Sequence, residues 1–216
     1  MKRAIIFANG RMNVPPPIVE DIHPDDLVIA ADGGTYHCKS LGITPNLIIG
    51  DFDSLGPNDI RPYREAGIEI RQYPTHKDET DLELALLSAS NHNATHVYII
   101  GALGNRWDMT IANILLAVHI RFSHLSIRLM DGLDEIVILR GEGQLDINNR
   151  PADTLSLIPV GGDAHGITTH GLVYPLSDET LYFGSSRGVS NIILNDQARV
   201  IIKTGILLIY ISAKEN

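Results

Sequence analysis

The sequence predicts an α/β domain with a doubly wound, mostly parallel sheet, followed by a smaller all-β sandwich domain. Over about the first 130 residues, short apolar segments alternate with helical patterns, as is typical of a parallel sheet with helices on both faces. From Glu135 onward, short alternating segments follow one another without helical patterns, and glycines separate them. That pattern favours an antiparallel sandwich or barrel. We therefore expect an α/β domain over 1–133 and a β domain over 134–216.

The strands of the first domain are predicted where short runs rich in Ile and Val end at Gly, Asp or Pro. These runs cover residues 3–8, 27–31, 47–49, 68–71, 96–100 and 126–130. Two helices are predicted over 81–90 and 110–121, where apolar residues recur at helical spacing. The first of these helices has a capping box, with Thr80 before it and Glu83 in its first turn.

The strands of the second domain are predicted from alternation between glycine-rich turns. They cover residues 135–140, 144–147, 154–159, 181–183, 199–203 and 206–212. Short strands at regular spacing without intervening helices are typical of an antiparallel sandwich.

Composition and charge exclude several classes of partner. The formal net charge is −9, and no Lys/Arg run offers the basic face that a nucleic-acid-binding protein needs. No apolar run is long enough for a signal peptide or a membrane span, so we expect no membrane association and a cytoplasmic location. The single cysteine, Cys38, cannot form an intramolecular disulfide and is interpreted as a small buried apolar residue.

Acidic residues follow four successive strands of the predicted sheet. Ligands of open α/β sheets bind beyond the carboxyl ends of the strands, so these residues are the candidate site. The candidates after the four strands are Asp32 and Gly33, then Asp51 and Asp53, then Lys77, Asp78, Thr80 and Asp81, and finally Arg106 and Asp108. Each motif also has a structural interpretation as a turn, a helix cap or a surface ion pair. The functional hypothesis depends on their joint placement.

Carboxylates that share a crevice repel one another and stay ionised together only if cations hold them. Mg²⁺ suits such a cluster because it prefers oxygen ligands and is commonly shared between carboxylates and phosphates. Lys77 and Arg106 are expected to meet phosphate oxygens, and glycines such as Gly33 let the backbone approach a polyphosphate. The sequence therefore predicts an Mg²⁺-dependent enzyme that transfers a phosphate-containing group. Neither a dinucleotide fingerprint nor a Gly-rich Lys-Ser/Thr phosphate loop is present.

At these residues the sequence resembles the thiamine pyrophosphokinase (thiamine diphosphokinase) family. The first domain carries Ala-Asp-Gly-Gly at 31–34, Pro-Asn-Leu-Ile-Ile-Gly-Asp-Phe-Asp-Ser at 45–54, Lys-Asp-Glu-Thr-Asp-Leu-Glu at 77–83 and Gly-Ala-Leu-Gly-Asn-Arg-Trp-Asp at 101–108. The second domain carries matching motifs at 155–159, 171–176, 188–191 and 205–208.

The resemblance implies that ATP donates its two terminal phosphates to the hydroxyl of thiamine, leaving AMP and thiamine diphosphate. It implies Mg²⁺ on Asp51, Asp53 and Asp81. Contacts to nucleotide or diphosphate are expected from Asp32, Gly33, Lys77, Asp78, Thr80, Arg106 and Asp108. It also implies a homodimer whose active sites lie at the subunit interface, with Ser190 and Asn191 near thiamine.

Two positions depart from the family pattern: Asn105 stands where a second glycine is usual, and Met109 stands where a histidine is usual. Two alternative functions stay open on the sequence. The same cleft would serve a pyrophosphatase or a kinase for another alcohol, and it would also serve a non-catalytic nucleotide or thiamine sensor. The second domain could also act only as a dimerisation module.

Overall fold

A computed structural model describes residues 2–104 and 106–214 of the chain. The chain divides into two compact units, Met1–Gly132 and Leu133–Asn216. None of the helices in the described part of the chain has the length and hydrophobicity of a transmembrane span.

The first unit contains a parallel sheet in the order β6-β5-β1-β2-β3-β4. Its strands are β1 (Arg3–Phe7), β2 (Leu27–Ala31), β3 (Leu47–Gly50), β4 (Glu69–Gln72), β5 (His96–Ile100) and β6 (Ser126–Asp131). The chain proceeds outward from β1 to β4 on one side and then returns through β5 on the other. The strand order thus reverses beside β1, which is where open α/β sheets bind ligands.

Among the residues that the structure describes, four α-helices accompany this sheet: α1 (Gly34–Ser40), α2 (Pro57–Glu65), α3 (Asp81–Asn91) and α4 (Trp107–Val118). The predicted helix over 81–90 is confirmed as α3. The predicted helix over 110–121 is confirmed as α4 with its bounds three residues too late, because α4 begins directly after Arg106 with exposed residues that carry no apolar pattern. Helices α1 and α2 were not predicted, since α1 is short and opens with glycine while α2 contains Pro57 and Pro62.

The core of the first unit is apolar and includes the thiol. Ile5, Phe7 and Ile48 are fully buried and belong to the same cluster as Cys38. Burial raises the pKa of Cys38 to about 12, so the thiol stays protonated and inert at neutral pH. The interpretation of Cys38 as a buried apolar residue is confirmed.

The second unit is a sandwich of two antiparallel sheets, in the orders β12-β9-β14-β7 and β11-β10-β13-β8. Its strands are β7 (Asp134–Arg140), β8 (Gly143–Asn148), β9 (Thr154–Pro159), β10 (Ala164–His170), β11 (Glu179–Leu181), β12 (Asn191–Ile192), β13 (Gln197–Ile202) and β14 (Ile206–Ser212). Buried residues of both sheets, such as Leu155 and Val200, form one apolar cluster. The predicted fold class, an α/β sheet followed by a β-sandwich, is confirmed.

Two strands of the sandwich were missed and one was misplaced. Strand β10 contains Gly166, which has φ +66° beside an irregularity in the pairing. A glycine in a strand marks a bulge as readily as a turn, so the sequence pattern predicts a turn where the structure has a strand. Strand β12 has only two residues, and β11 lies two residues before the predicted run over 181–183.

Candidate active site

A cleft of about 590 Å³ opens at the carboxyl end of the parallel sheet. Its wall is made by the residues that follow β1, β2, β3 and β5, together with the first turns of α3 and α4. These loops meet because parallel strands end at the same edge of the sheet, beside the point where the strand order reverses.

Three aspartates form an acidic centre in this cleft: Asp32, Asp51 and Asp53. Each offers one carboxylate oxygen, and these oxygens lie within 4.8 Å of one another. Tight turns bring them together. Asp32 has φ 46° directly after β2, and Phe52, between the other two aspartates, has φ 64°. Gly50 allows the close approach, because a Cβ there would stand 3.0 Å from the Asp32 Cβ.

The acidic centre fits a divalent cation. Asp32 is 3% exposed, and its Oδ2 accepts a hydrogen bond from the Asn9 amide at 3.1 Å. Its Oδ1 is buried and has no hydrogen-bond partner in the described part of the chain. A buried carboxylate oxygen without a partner is costly, and a cation shared with Asp51 and Asp53 would remove that cost. Carboxylate oxygens are also the ligands that Mg²⁺ prefers.

Lys77 lies between two of the predicted metal ligands. Its side chain is 11% exposed, and its Nζ lies 3.5 Å from Asp51 Oδ2 and 3.0 Å from Asp81 Oδ1. Burial by itself would lower the pKa of Lys77, but the contacts with Asp81 and Asp51 outweigh it and raise that pKa. Burial raises the pKa of Asp81, against the opposing effect of Lys77. The ammonium thus neutralises carboxylates here.

Asp81 lines the cleft but stands outside the group of three aspartates that could share a cation. Thr80, which precedes it, accepts a hydrogen bond from the Glu83 N–H at 3.2 Å and caps α3 as predicted. Gly33 and Asp78 are not part of the cleft wall. Gly33 packs against Asn9, whose Oδ1 would lie 1.8 Å from a Cβ at that position.

Arg106 lines the cleft, whereas Asp108 does not. The two side chains form an exposed ion pair at 2.5 Å. The hydrogen bond from Arg106 lowers the pKa of the Asp108 carboxyl. Met109 also lines the cleft. Asn105 lies outside the described residues.

Two family models and a curated relative match this chain. The family model for "Thiamin pyrophosphokinase, catalytic domain" matches residues 21–129, which is half of the chain, and that for "Thiamin pyrophosphokinase, vitamin B1 binding domain" matches residues 142–207. A thiamine pyrophosphokinase from Bacillus subtilis (strain 168) is 31% identical over 209 residues, covering 96% of this chain and 97% of the relative.

The chain belongs to the thiamine pyrophosphokinase family. Solved structures agree with this membership. The crystal structure of the Bacillus subtilis thiamine pyrophosphokinase has a TM-score of 0.88 at 30% identity, covering 99% of this chain and 100% of that one. The thiamin pyrophosphokinase from Geobacillus thermodenitrificans has a TM-score of 0.85 at 25% identity, covering 100% and 99%. The resemblance seen in the sequence is confirmed.

The cleft of this thiamine pyrophosphokinase family member also contains residues that the sequence pattern did not predict. Asn9, Gly10 and Arg11 follow β1 and line the cleft, as does Ser54. The loop after β1 carries no acidic residue, so the pattern of acidic residues does not indicate it. The signal that could have found it is position, because β1 is the strand beside which a doubly wound sheet reverses its order.

In the second unit of this family member, the two predicted thiamine contacts have different surroundings. Asn191 is buried, and its Oδ1 accepts the Tyr174 and Ile192 N–H groups at 3.0 and 2.9 Å. Its Nδ2 donates to the Tyr174 carbonyl at 2.7 Å, so Asn191 fixes backbone. Ser190 is exposed with φ 60°, and its N–H donates to Ser156 Oγ. Their contact with thiamine stays a prediction.

Proposed function

We propose that this protein is a thiamine diphosphokinase, which transfers diphosphate from ATP to the hydroxyl of thiamine and releases AMP. The observation that carries the proposal is the acidic centre of Asp32, Asp51 and Asp53 in a cleft at the sheet's switch point, in a chain of this family. We assign the transfer to the first unit, and thiamine binding and dimerisation to the second.

Mg²⁺ is the proposed cofactor, held by Asp51 and Asp53. The buried Oδ1 of Asp32 is a further possible ligand atom. Asp81 completes the set of Asp51, Asp53 and Asp81 that the family resemblance implies. When bound, Mg²⁺ would neutralise charge on the phosphates and help to orient them. For Asp81 to bind the ion, Lys77 must lose its contact with the Asp81 carboxylate. An incoming phosphate of the nucleotide can then take the place of that carboxylate beside Lys77.

The proposed transfer begins when the thiamine hydroxyl oxygen attacks the β-phosphorus of ATP. The bond between the β-phosphorus and the oxygen that bridges to the α-phosphate breaks, and AMP leaves with those electrons. The hydroxyl proton passes to a cleft carboxylate. Arg106, oriented by Asp108 at 2.5 Å, stabilises the negative charge that develops on the phosphate oxygens.

The direct test is incubation of the purified protein with ATP, Mg²⁺ and thiamine. We expect AMP and thiamine diphosphate to appear in equal amounts, and only when thiamine is present. AMP release without thiamine would instead indicate a pyrophosphatase. Tight ATP binding in calorimetry without any product would indicate a sensor, and turnover only with a different alcohol would indicate another kinase.

Asp53→Ala is expected to lower turnover by at least about 100-fold, which is the scale of losing one electrostatic contact to the transition state. Because Asp53 is exposed, circular dichroism should show an unchanged fold. The matched control is Asp25→Ala, which removes an exposed aspartate outside the cleft wall. Near-normal turnover of Asp53→Ala would remove Asp53 from the mechanism.

A homodimer with its active sites at the subunit interface is part of the proposal. Large apolar side chains of the second unit support it, because Tyr174, Tyr182, Phe183 and Leu194 are each at least 55% exposed. Exposed apolar side chains in such numbers are typical of a surface that another protein covers.

Phe183→Glu is expected to give a monomer in sedimentation velocity and to reduce activity strongly, because it places a charge on a surface that dimerisation would bury. Asn148→Glu adds the same charge at an exposed position of β8, at the opposite edge of the sheet that contains β11, and should leave both readouts unchanged. A wild-type protein that sediments as a monomer at micromolar concentration would contradict the dimer.

A further inference from the structure

Two arginines line the described cleft wall, Arg11 and Arg106, and their neighbours differ. Arg106 is paired with the Asp108 carboxylate at 2.5 Å. Arg11 donates from Nε to the neutral Asn13 Oδ1 at 2.5 Å, and no ion pair found among the described residues includes it. Arg11 therefore brings to the cleft a positive charge that forms no ion pair with a carboxylate of the described residues.

The backbone that carries Arg11 is fixed on two sides. The Gly10 N–H donates to the Gly101 carbonyl at 2.7 Å, and the Gly10 carbonyl lies 2.7 Å from His37 Nε2. The first contact is so close that a Cβ on Gly10 would stand 2.2 Å from the Gly101 oxygen. Because of this fastening, the loop after β1 holds Arg11 beside the loop that leads to Arg106.

We propose that Arg11 binds the polyphosphate of the nucleotide, as a second cation alongside Arg106. This inference rests on the proposed function and goes beyond it by assigning a residue of the first loop to the donor substrate. The planar guanidinium matches phosphate oxygens in bidentate fashion, and a free charge can accept them without first losing a carboxylate partner. Thiamine is itself a cation, so Arg11 repels that substrate and discriminates between the two.

The test compares Arg11→Gln with wild type by calorimetry, using a non-hydrolysable ATP analogue in the presence of Mg²⁺. Loss of one charge-assisted contact should weaken binding of the analogue about 10-fold or more. In steady-state assays the KM for ATP should rise similarly, while the KM for thiamine stays within about twofold. Arg11→Lys should recover part of the affinity, because it restores the charge without the planar fork.

Arg61→Gln is the matched control, because Arg61 is an exposed arginine on α2 outside the cleft wall. Unchanged affinity for the analogue in Arg11→Gln would overturn the proposal. So would an equal loss in Arg61→Gln, or a rise confined to the KM for thiamine. If the wild-type protein forms no thiamine diphosphate, the proposed function fails, yet the binding comparison still decides the role of Arg11.

Discussion

Asn9 connects three loops of the cleft through one side-chain amide. Its Nδ2 donates to Asp32 Oδ2 and to Ser54 Oγ, both at 3.1 Å, so it joins the loops that follow β1, β2 and β3. One Asp32 oxygen is thereby occupied, and the buried Oδ1 is left for a cation. Asn9 is thus a positioning residue for the acidic centre.

Asn9→Ala is expected to lower kcat about 10-fold and to raise the Mg²⁺ concentration needed for half-maximal activity. The physical reason is that Asp32 loses the hydrogen bond that orients it, which is worth about 1.5–3 kcal/mol when a charged group accepts it. Titration of activity with Mg²⁺ measures both effects. Asn58→Ala, at an exposed position of α2, is the control. An unchanged Mg²⁺ requirement in Asn9→Ala would contradict the positioning role.

The partners of Lys77 differ from those that its residue type and position in the sequence predict. A lysine beside a run of acidic residues was expected to meet phosphate, and its chemistry permits that. In the structure it pairs with Asp51 and Asp81, because residues far apart in the chain meet at the sheet edge. A buried ammonium needs an anionic partner, and these carboxylates supply it as well as a phosphate would.

Among the elements, the start of β1 is tied to the segment before β2 by a charged cluster. Arg3 donates to both carboxylate oxygens of Asp26, at 2.9 and 2.5 Å, and to Asp21 at 2.8 Å. The Asp26 side chain is 6% exposed. Burial by itself would raise the pKa of Asp26, but the hydrogen bonds from Arg3 and the His23 N–H outweigh it and lower that pKa.

Because the folded state has the lower pKa, Asp26 stabilises the fold above the unfolded pKa, near 3.9. That stability is lost as pH falls through the folded value. Asp26→Asn should therefore lower the free energy of unfolding by about 3 kcal/mol at pH 7, as expected when one partner of a buried pair is removed. The difference from wild type should shrink below about pH 4.

Urea unfolding at a series of pH values measures this difference. Asp25→Asn changes an exposed neighbour and should follow wild type throughout. A destabilisation of Asp26→Asn that is equally large at pH 3 and pH 7 would show that the ion pair is not its cause.

At the scale of the whole molecule, the net charge of −9 is an obstacle to binding a polyphosphate. The arrangement of the cleft offsets it locally, because an acidic centre that recruits a cation lies beside Arg106, Lys77 and Arg11. An acidic protein can handle an anionic substrate in this way when the cation stands between the charges.

Mg²⁺ binding to the folded state should stabilise the molecule. At a concentration 100 times the Kd, the gain is about 2.7 kcal/mol, which corresponds to a rise in Tm of roughly 5–10 °C for a chain of this size. Asp51→Asn should lose most of this rise, and Asp25→Asn should keep it. Thermal unfolding with and without Mg²⁺, and after chelation, provides the measurement. An equal rise in Asp51→Asn would place the ion elsewhere.

Local sequence patterns predict the alternation of strands and helices, the change to a sandwich, and the aspartates that follow the strands. Those features are local, because periodicity reports which face of each element is buried. The folded arrangement, in contrast, places Asp32 with Asp51 and Asp53, pairs Lys77 with carboxylates, and brings Asn9 and Arg11 into the cleft wall. These contacts depend on strand order, which brings together residues that no local pattern relates.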